Sequence, residues 1–450
     1  MRTISLHDTR SGQVRALEPT DSRRVRIYAC GPTVYGRIHV GNARPFVVFA
    51  LLKRFLVHQG YGVNLVANIT DVNDKIYAAA QTRGVASDQL AREMIAAYLA
   101  DTERLGLGRP DHEPLASETM GPIIELIKRL IELGHAYPAD GDVYFSVRSY
   151  PQYGELSHRN VDQMDQGEVE GAGRKRDPLD FALWKGRKDG EDTAWESPWG
   201  AGRPGWHIEC SAMAEQLLGV DFEIHGGGSD LIFPHHENEA AQTRAARGVP
   251  LARLWMHNGM VRLDSEKMSK SVGNVFALHE ALDAHGRDAL LMYFLGGHYH
   301  QPIEFADDRL SEAGARANRI REAARGLTEG RSPAWSEPMR EQFFCSLAND
   351  FNTPRALAVV FEWVREANRA PAASVGDADL REMLSVFALE NLLEADQTQA
   401  PPQAIELLEA RQRARADGDF AEADRMREQL RSLGWEVRDG PDGPQLLPTR

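Results

Sequence analysis

The stretch from Arg26 to Asn42, with the residues on either side of it, constrains this chain more than any other. Val25 to Ala29 is a short apolar run closed by Gly31-Pro32, the pattern of a buried strand. His39-Val40-Gly41-Asn42 follows, and then Phe46, Phe49, Leu52, Phe55 and Leu56 recur at helical spacing. A second apolar strand, Val63 to Thr70, completes a βαβ unit. Such a unit implies a parallel sheet, with ligands at the carboxyl ends of its strands. The free amides of a helix N-terminus attract phosphate, Gly41 lets a ligand approach the backbone, and His39 can donate to a charged oxygen. A glycine at a helix start is by itself an ordinary turn. The partner that changes its meaning is Lys267-Met-Ser-Lys-Ser271, a loop ended by Gly273-Asn274 in which Lys267 and Lys270 could close two point charges over a triphosphate.

The chain has 450 residues, enough for two to four domains, and 42% are hydrophobic, ample for large cores. The longest apolar candidate, Val47 to Val57, is interrupted by Lys53-Arg54 and falls short of the ~18 residues of a membrane span. The N-terminus carries no apolar signal segment, and Cys30, Cys210 and Cys345 cannot build a disulfide framework, so a reducing cytoplasm is expected. A net charge of −14 argues against indiscriminate coating of nucleic acid but leaves room for a structured RNA met by local basic patches.

Beyond the βαβ unit, Asp71 to Lys75 opens a helix, and residues 86–106 and 118–134 read as amphipathic helices, the latter capped by Ser117 and ended by Gly134. The texture changes from about 136 to 200. Val143 to Val147 alternates like a strand, Asp162 to Gly173 is an acidic, glycine-bearing loop, and Arg174-Lys-Arg176 is a basic trio, either an RNA contact or a solvated face. A helix over 206–219 follows, then a strand from Asp221 to His225 that Gly226-Gly-Gly228 should break, then a helix from His235 to Arg247. Residues 278–285, 287–295, 307–327, 338–350, 354–369, 376–394 and 402–415 read as helices at bundle density. A charged helix from Phe420 to Leu433 and a hairpin built on Trp435 to Arg438 and Gln445 to Leu447 close the chain. The expected fold is α/β: a Rossmann-type parallel-sheet catalytic domain in two halves (1–117 and 201–250), an inserted domain (118–200), a linker domain bearing the lysine loop (251–305), a helical bundle (306–400) and a small C-terminal α+β tail (401–450).

His235 and Glu239 lie four apart on one helix and project from one face, a spacing suited to zinc. Cys30 ends the first strand and Cys210 lies on the helix before the strand that leads to His235, so a parallel sheet could gather all four in one crevice. His236 with Glu239, or Glu237, are open alternatives. His207, His225 and His257 could line the same pocket or be core histidines. Cys345, among Phe343, Phe344 and Leu347, reads as core, as do Met256, Met260 and Phe294. Trp435 reads as the anchor of the hairpin, with stacking on a base as the alternative.

The pairing of His39-Val-Gly-Asn42 with Lys267-Met-Ser-Lys-Ser271 resembles the class I aminoacyl-tRNA synthetases. Cys30-Gly-Pro-Thr-Val-Tyr35, Gly205-Trp-His-Ile-Glu-Cys-Ser-Ala-Met213, His225-Gly-Gly-Gly-Ser-Asp-Leu231 and Phe233-Pro-His-His-Glu-Asn-Glu239 are similar to the cysteinyl-tRNA synthetase family, in order over nearly the whole chain. Asn42 stands where the wider class has a second histidine, as is usual in the cysteine branch. The resemblance implies zinc on Cys30, Cys210, His235 and Glu239, and Mg²⁺ with ATP. It implies catalytic roles at phosphate for His39, Asn42, Lys267 and Lys270, and an ATP site at Gly41, Gly227, Asp230 and Lys270. Thr70 and Trp206 would line the amino-acid pocket. It implies cysteine, ATP and tRNA-Cys as partners, no membrane, and a monomer. A related ligase joining cysteine to an amino sugar, and a non-catalytic zinc-dependent binding protein, are the competing readings.

Overall fold

The structure, a computed structural model, describes residues 2–21, 23–164, 173–263, 266–267, 276–371, 373–394, 401–440 and 443–448. Two compact units divide it, Met1–Leu393 and Glu394–Arg450.

In the first unit a hairpin of β1 (Ser5–Asp8) and β2 (Gln13–Ala16) precedes β3 (Arg24–Ala29), α1 (Val40–His58) and β4 (Gly62–Ala67). This is the expected βαβ unit of a parallel sheet, since β3 and β4 pair in parallel from Arg24↔Gly62 to Ala29↔Ala67. On α1, Val47, Leu51, Phe55 and their neighbours are buried, each such side chain contributing roughly 1.5–3 kcal/mol. Helices α2 (Asp74–Arg83) and α3 (Ser87–Glu103) follow, then α4 (Met120–Glu132). Ser117 does not cap α4. Its hydroxyl donates to Asp71 Oδ2, and the helix starts after Thr119, which makes no side-chain cap bond.

The change of texture after residue 136 is an antiparallel sheet, β5 (Ala136–Ala139), β6 (Asp142–Phe145), β7 (Phe181–Gly186) and β8 (Gly202–Pro204), in sequential order. It has its own core, in which Phe145 and Phe181 stack at 4.9 Å. Strand β6 stops at Phe145 because Asp180 Oδ1 takes the Val147 amide at 3.0 Å, and a 3₁₀ turn replaces the expected strand end. Strand β8 carries the inserted sheet past residue 200. Most of the acidic loop, 165–172, lies outside the described residues. The basic trio is seated on its own sheet: Arg174 pairs with Asp142 at 2.6 Å, and the Arg176 guanidinium lies 4.0 Å from the centre of the Tyr137 ring.

The second half of the parallel sheet comes from α5 (Trp206–Leu218), β9 (Phe222–Gly228), α6 (Glu237–Arg247) and β10 (Ala252–Asn258). The triple glycine does not break β9. The strand runs through it, with Gly226, Gly227 and Gly228 in parallel register with Met256, His257 and Asn258. The glycines are there for lack of room. A Cβ on Gly226 would lie 2.2 Å from Met256 O and 2.3 Å from Phe49 Cζ, and one on Gly227 2.9 Å from Leu231 Cδ1 and 3.5 Å from Cys30 Cβ. The sheet order is β10-β9-β3-β4. The crossover from β3 runs to one side and that from β9 to the other, so the two central strands flank a topological switch point, where such sheets bind ligands.

Strands β11 (Val261–Leu263) and β12 (Glu266–Lys267) form the two sides of the lysine loop's entry, and α7 (Leu278–Leu295) follows. The span holds the two expected helices, 278–285 and 287–295, which meet at Gly286, whose φ of +74° is not helical. A short strand, β13 (Ile303–Glu304), pairs with β11. Helices α8 (Asp307–Ala324), α9 (Ser336–Ala348), α10 (Thr353–Ala367) and α11 (Ala378–Val386) form the bundle, whose core is continuous with that under the parallel sheet. Cys345 is exposed rather than core: Phe343, Phe344 and Leu347 face inward, and residue 345 falls on the opposite side of α9. In the second unit α12 (Pro402–Ala416), α13 (Phe420–Ser432) and the hairpin of β14 (Trp435–Gly440) and β15 (Gly443–Pro448) share a small core in which Trp435 is buried beside Leu430 and Val437. Trp435 is therefore the hairpin's anchor. Among the described residues no helix is long and apolar enough to cross a membrane.

Candidate active site

At the switch point the first residue beyond β3 is Cys30, whose amide donates to Gly226 O on the neighbouring strand at 2.9 Å. Helix α5 brings Cys210, and the turn into α6 brings His235 and Glu239. One ligand atom from each of these four residues lies within 4.8 Å of every other. His235 Nε2 stands 3.0 Å from Glu239 Oε1, and Cys30 Sγ stands 3.6 Å from His235 Nε2 and 3.5 Å from Glu239 Oε1. Ligands of a tetrahedral ion with bonds of 2.0–2.3 Å sit about 3.3–3.8 Å apart, so the donor set and its spacing fit zinc. All four residues are buried.

The electrostatics point the same way. Burial, with Cys210 and Glu239 nearby, pushes the Cys30 thiol well up. Burial also raises Cys210, but its contact with Cys30 and the imidazole of His235 outweigh this and draw it down to about 6. Burial opposes the Glu239 carboxylate too, and His225 and His235 overcome it and hold its pKa well below the usual range. Against its own burial, His235 is raised to about 10 by Glu239 and Cys210. Acidic ligands crowded in a dry nest make a strong site for a dication.

Sequence reasoning left the remaining histidines open, and the structure assigns them places. Cys30, His225, His236 and Glu239 form a second quartet, also within 4.8 Å, that shares Cys30 and Glu239 with the first. His236 Nδ1 meets His257 Nε2 at 2.7 Å, and His257 Nδ1 meets Thr9 Oγ1 at 2.7 Å. His207 Nδ1 meets His235 Nδ1 at 3.0 Å. Glu237 is not part of either set. Its oxygens accept the amides of Gly154 and Ser157 at 2.8 and 2.7 Å, tying the inserted segment to α6. Glu209, wholly buried beside Cys210, has no hydrogen-bond partner at either oxygen among the described residues, and burial raises its pKa well above the usual range. No spacing rule in the sequence marks it.

The other expected site residues ring this nest. Trp206 begins α5, stacks on His235 with ring centres 4.2 Å apart, and is 36% exposed, a wall between the metal cluster and solvent. Gly227 packs against Cys30 and His236, and Asp230 sits exposed in the turn just after β9. Thr70 is buried under the loop after β3: its amide donates to Pro32 O at 3.1 Å, and its hydroxyl accepts from Asn68 Nδ2 at 3.2 Å. His39 and Asn42 cap α1 reciprocally. The Asn42 amide donates to His39 Nδ1 at 3.3 Å and the His39 amide to Asn42 Oδ1 at 3.4 Å. Accepting at Nδ1 puts the proton of a neutral His39 on Nε2. A Cβ on Gly41 would lie 2.9 Å from the His39 ring.

Lys270 lies outside the described residues, and for Lys267 only the backbone is described. Both ends of their loop are nevertheless fixed, one on β11 and the other beside the α1 cap. Lys267 pairs with Arg262 on β11. At the far end Ala277 bridges His39, Val40 N donates to Phe276 O at 3.0 Å, and Leu278 N donates to Ile38 O at 3.0 Å.

The chain matches three families: "tRNA synthetases class I (C) catalytic domain" over residues 16–315, "DALR domain" over 342–392 and "Cysteinyl-tRNA ligase anticodon binding domain" over 398–445. It is 44% identical to a cysteine–tRNA ligase of Pseudothermotoga lettingae, over 98% of both chains. It is 46% identical to one of Halorhodospira halophila, over 99% of this chain and 100% of the relative. Among solved structures it is similar in fold to methionyl-tRNA synthetase of Mycobacterium tuberculosis with methionyl-adenylate, at TM-score 0.61 and 17% identity over 89% of this chain and 96% of that one. A LeuRS–tRNA–LeuAMS complex from Agrobacterium radiobacter aligns at TM-score 0.62 and 12% identity, over 85% of this chain and 86% of that one.

Proposed function

The chain belongs to the cysteinyl-tRNA synthetase family of class I ATP-dependent ligases, and from that premise we propose how its own residues divide the work. The overall reaction joins cysteine to tRNA-Cys at the expense of ATP. The carboxylate of cysteine attacks the α-phosphate of Mg-bound ATP, releasing pyrophosphate, and the acyl group then passes to the terminal adenosine of the tRNA. Neither step needs a protein nucleophile, so catalysis is positioning and charge stabilisation. The Nε2–H of His39 and the side chain of Asn42 face phosphate at the mouth of α1. Lys267 and Lys270 neutralise the charge that develops on the leaving pyrophosphate. Gly41, Gly227 and Asp230 give the nucleotide room and a ribose acceptor. Trp206 and Thr70 close the amino-acid pocket.

Cys30, Cys210, His235 and Glu239 would hold zinc, which when bound takes the substrate's thiolate as a further ligand and passes over a hydroxyl. This matters because shape alone separates sulfur from oxygen poorly in a small pocket. The chain's contribution is a dry, preformed donor set under Trp206, and that quartet is the observation that carries this reading. The matched anticodon-binding domain at 398–445 supports tRNA as acceptor over an amino sugar, and the ends of the lysine loop, anchored on β11 and beside the α1 cap, support catalysis over mere binding. The same reading expects a cytoplasmic monomer. Cysteine-dependent ATP–pyrophosphate exchange, run with and without a zinc chelator and with serine in place of cysteine, tests it. Exchange should need cysteine and fall on chelation. Activation of serine within about tenfold of cysteine, the level shape alone could give, would contradict it.

A further inference from the structure

A third group of metal-capable side chains lies away from the switch point. His298 and His300 flank Tyr299 in the turn between α7 and β13, and Asp350 follows α9; one ligand atom from each of the three lies within 4.8 Å of the others. We propose that His298, His300 and Asp350 form a second, peripheral site for a borderline transition-metal dication such as Zn²⁺ or Co²⁺, distinct from the active-site quartet.

The carboxylate is built to face the two rings. Asp350 Oδ1 accepts the Tyr299 hydroxyl at 2.7 Å and the His7 amide at 2.8 Å, and the Asp350 amide donates to Ser5 O at 2.8 Å. These bonds hold Asp350 in a left-handed conformation, φ +60°, and turn Oδ2 toward the imidazoles. His298 Nε2 and His300 Nε2 stand 3.7 and 3.9 Å from Oδ2. Both separations exceed a direct hydrogen bond and are somewhat wider than the ligand–ligand spacing around a tetrahedral ion, about 3.3 Å for nitrogen and oxygen donors, so an ion would draw the three groups together. The ring of His7 stacks on His300 with centres 5.2 Å apart and fixes its plane. Such support orients metal ligands.

Two imidazoles and one carboxylate select borderline metals over Mg²⁺ or Ca²⁺. The three side chains keep 15–31% exposure, so solvent can complete the coordination sphere and the ion has an entry path. The Arg44 guanidinium donates to His298 O at 3.0 Å and adds an unfavourable positive charge. With no thiolate and this cation nearby, the site should bind more weakly than the quartet and empty first. An ion here would clamp three distant segments of the first unit: the N-terminal hairpin through His7 and Asp350, the turn after α7, and the end of α9.

The test uses the untagged full-length chain, stripped of metal and dialysed against Zn²⁺. The wild type should take up two equivalents, with thermal stability rising again during filling of the second. His300→Ala should take up one, lose the second rise in stability and keep cysteine-dependent exchange within about twofold of wild type, which certifies its fold. Cys210→Ser should also take up one, held by the peripheral site. A wild type saturating at one equivalent, or a His300→Ala variant still taking two, overturns the proposal without touching the function of the quartet.

Discussion

The two overlapping quartets at the switch point share Cys30 and Glu239 and differ in their other halves: Cys210 and His235 in one, His225 and His236 in the other. On spacing alone they are equivalent. They differ in what their imidazoles already do. His236 is engaged by His257, which reaches Thr9, and burial, then His225, push the pKa of His236 far down. The His257 pKa falls to about 3, again through burial first and His225 second. His225 packs between Tyr28 and Trp255. His236 and His257 thus form a neutral hydrogen-bonded pair. His235 instead sits among acidic groups under Trp206, on the side open to substrate. The difference teaches that ligand identity here depends on outer partners as much as on donor distances: in the proposed function the first quartet would hold the metal, and the second would orient it.

That contrast can be broken by removing a residue from one half at a time. Cys210→Ser should lose active-site zinc and raise the cysteine KM by about two to three orders of magnitude, a loss of a full ligand. Metal analysis and exchange kinetics check this, and full zinc retention with normal kinetics would move the ion to the second quartet. Lys270→Ala tests the nucleotide side independently of either quartet. Exchange should fall by about two to three orders of magnitude with zinc content unchanged. His236→Asn should weaken zinc by about 10–100-fold, the scale of an outer partner, read by competition with a chromophoric chelator. A loss as large as that of Cys210→Ser would erase the distinction. Gly227→Ala should cost least, about 1–3 kcal/mol, since its Cβ would press Leu231 Cδ1 at 2.9 Å and His236 Cε1 at 3.2 Å. A thermal melt without change in zinc content would show crowding of the scaffold alone.

The same contrast explains what the sequence disclosed. Cys30, Cys210, His235 and Glu239 were legible because two cysteines at strand and helix positions and an i, i+4 pair follow from local periodicity and parallel-sheet topology. The scaffold was not. His207, His225 and His257 acquire their roles only through contacts between α5, β9, β10 and the N-terminal hairpin, and His236 was readable only as an alternative ligand. Gly226 to Gly228 were misread because local rules treat three glycines as a break, whereas here Phe49, Met256, Leu231 and Asp230 crowd the space that side chains would need. Cys345 was misread because apolar neighbours at two-residue offsets on a helix face the other way. The helix order of the bundle and the terminal hairpin followed from periodicity, with ends shifted by a few residues, but the helix expected over 376–394 stops at Val386, where Ala388 turns left-handed (φ +55°) before a 3₁₀ turn at Glu390–Leu393.

Zinc-edge X-ray absorption on chain carrying one equivalent, with and without saturating cysteine, tests the central claim most directly. The first quartet predicts two sulfur scatterers near 2.3 Å in the free chain and a third when cysteine binds. One sulfur in the free chain, or no change on adding cysteine, would contradict the claim that this protein recognises its amino acid through the metal.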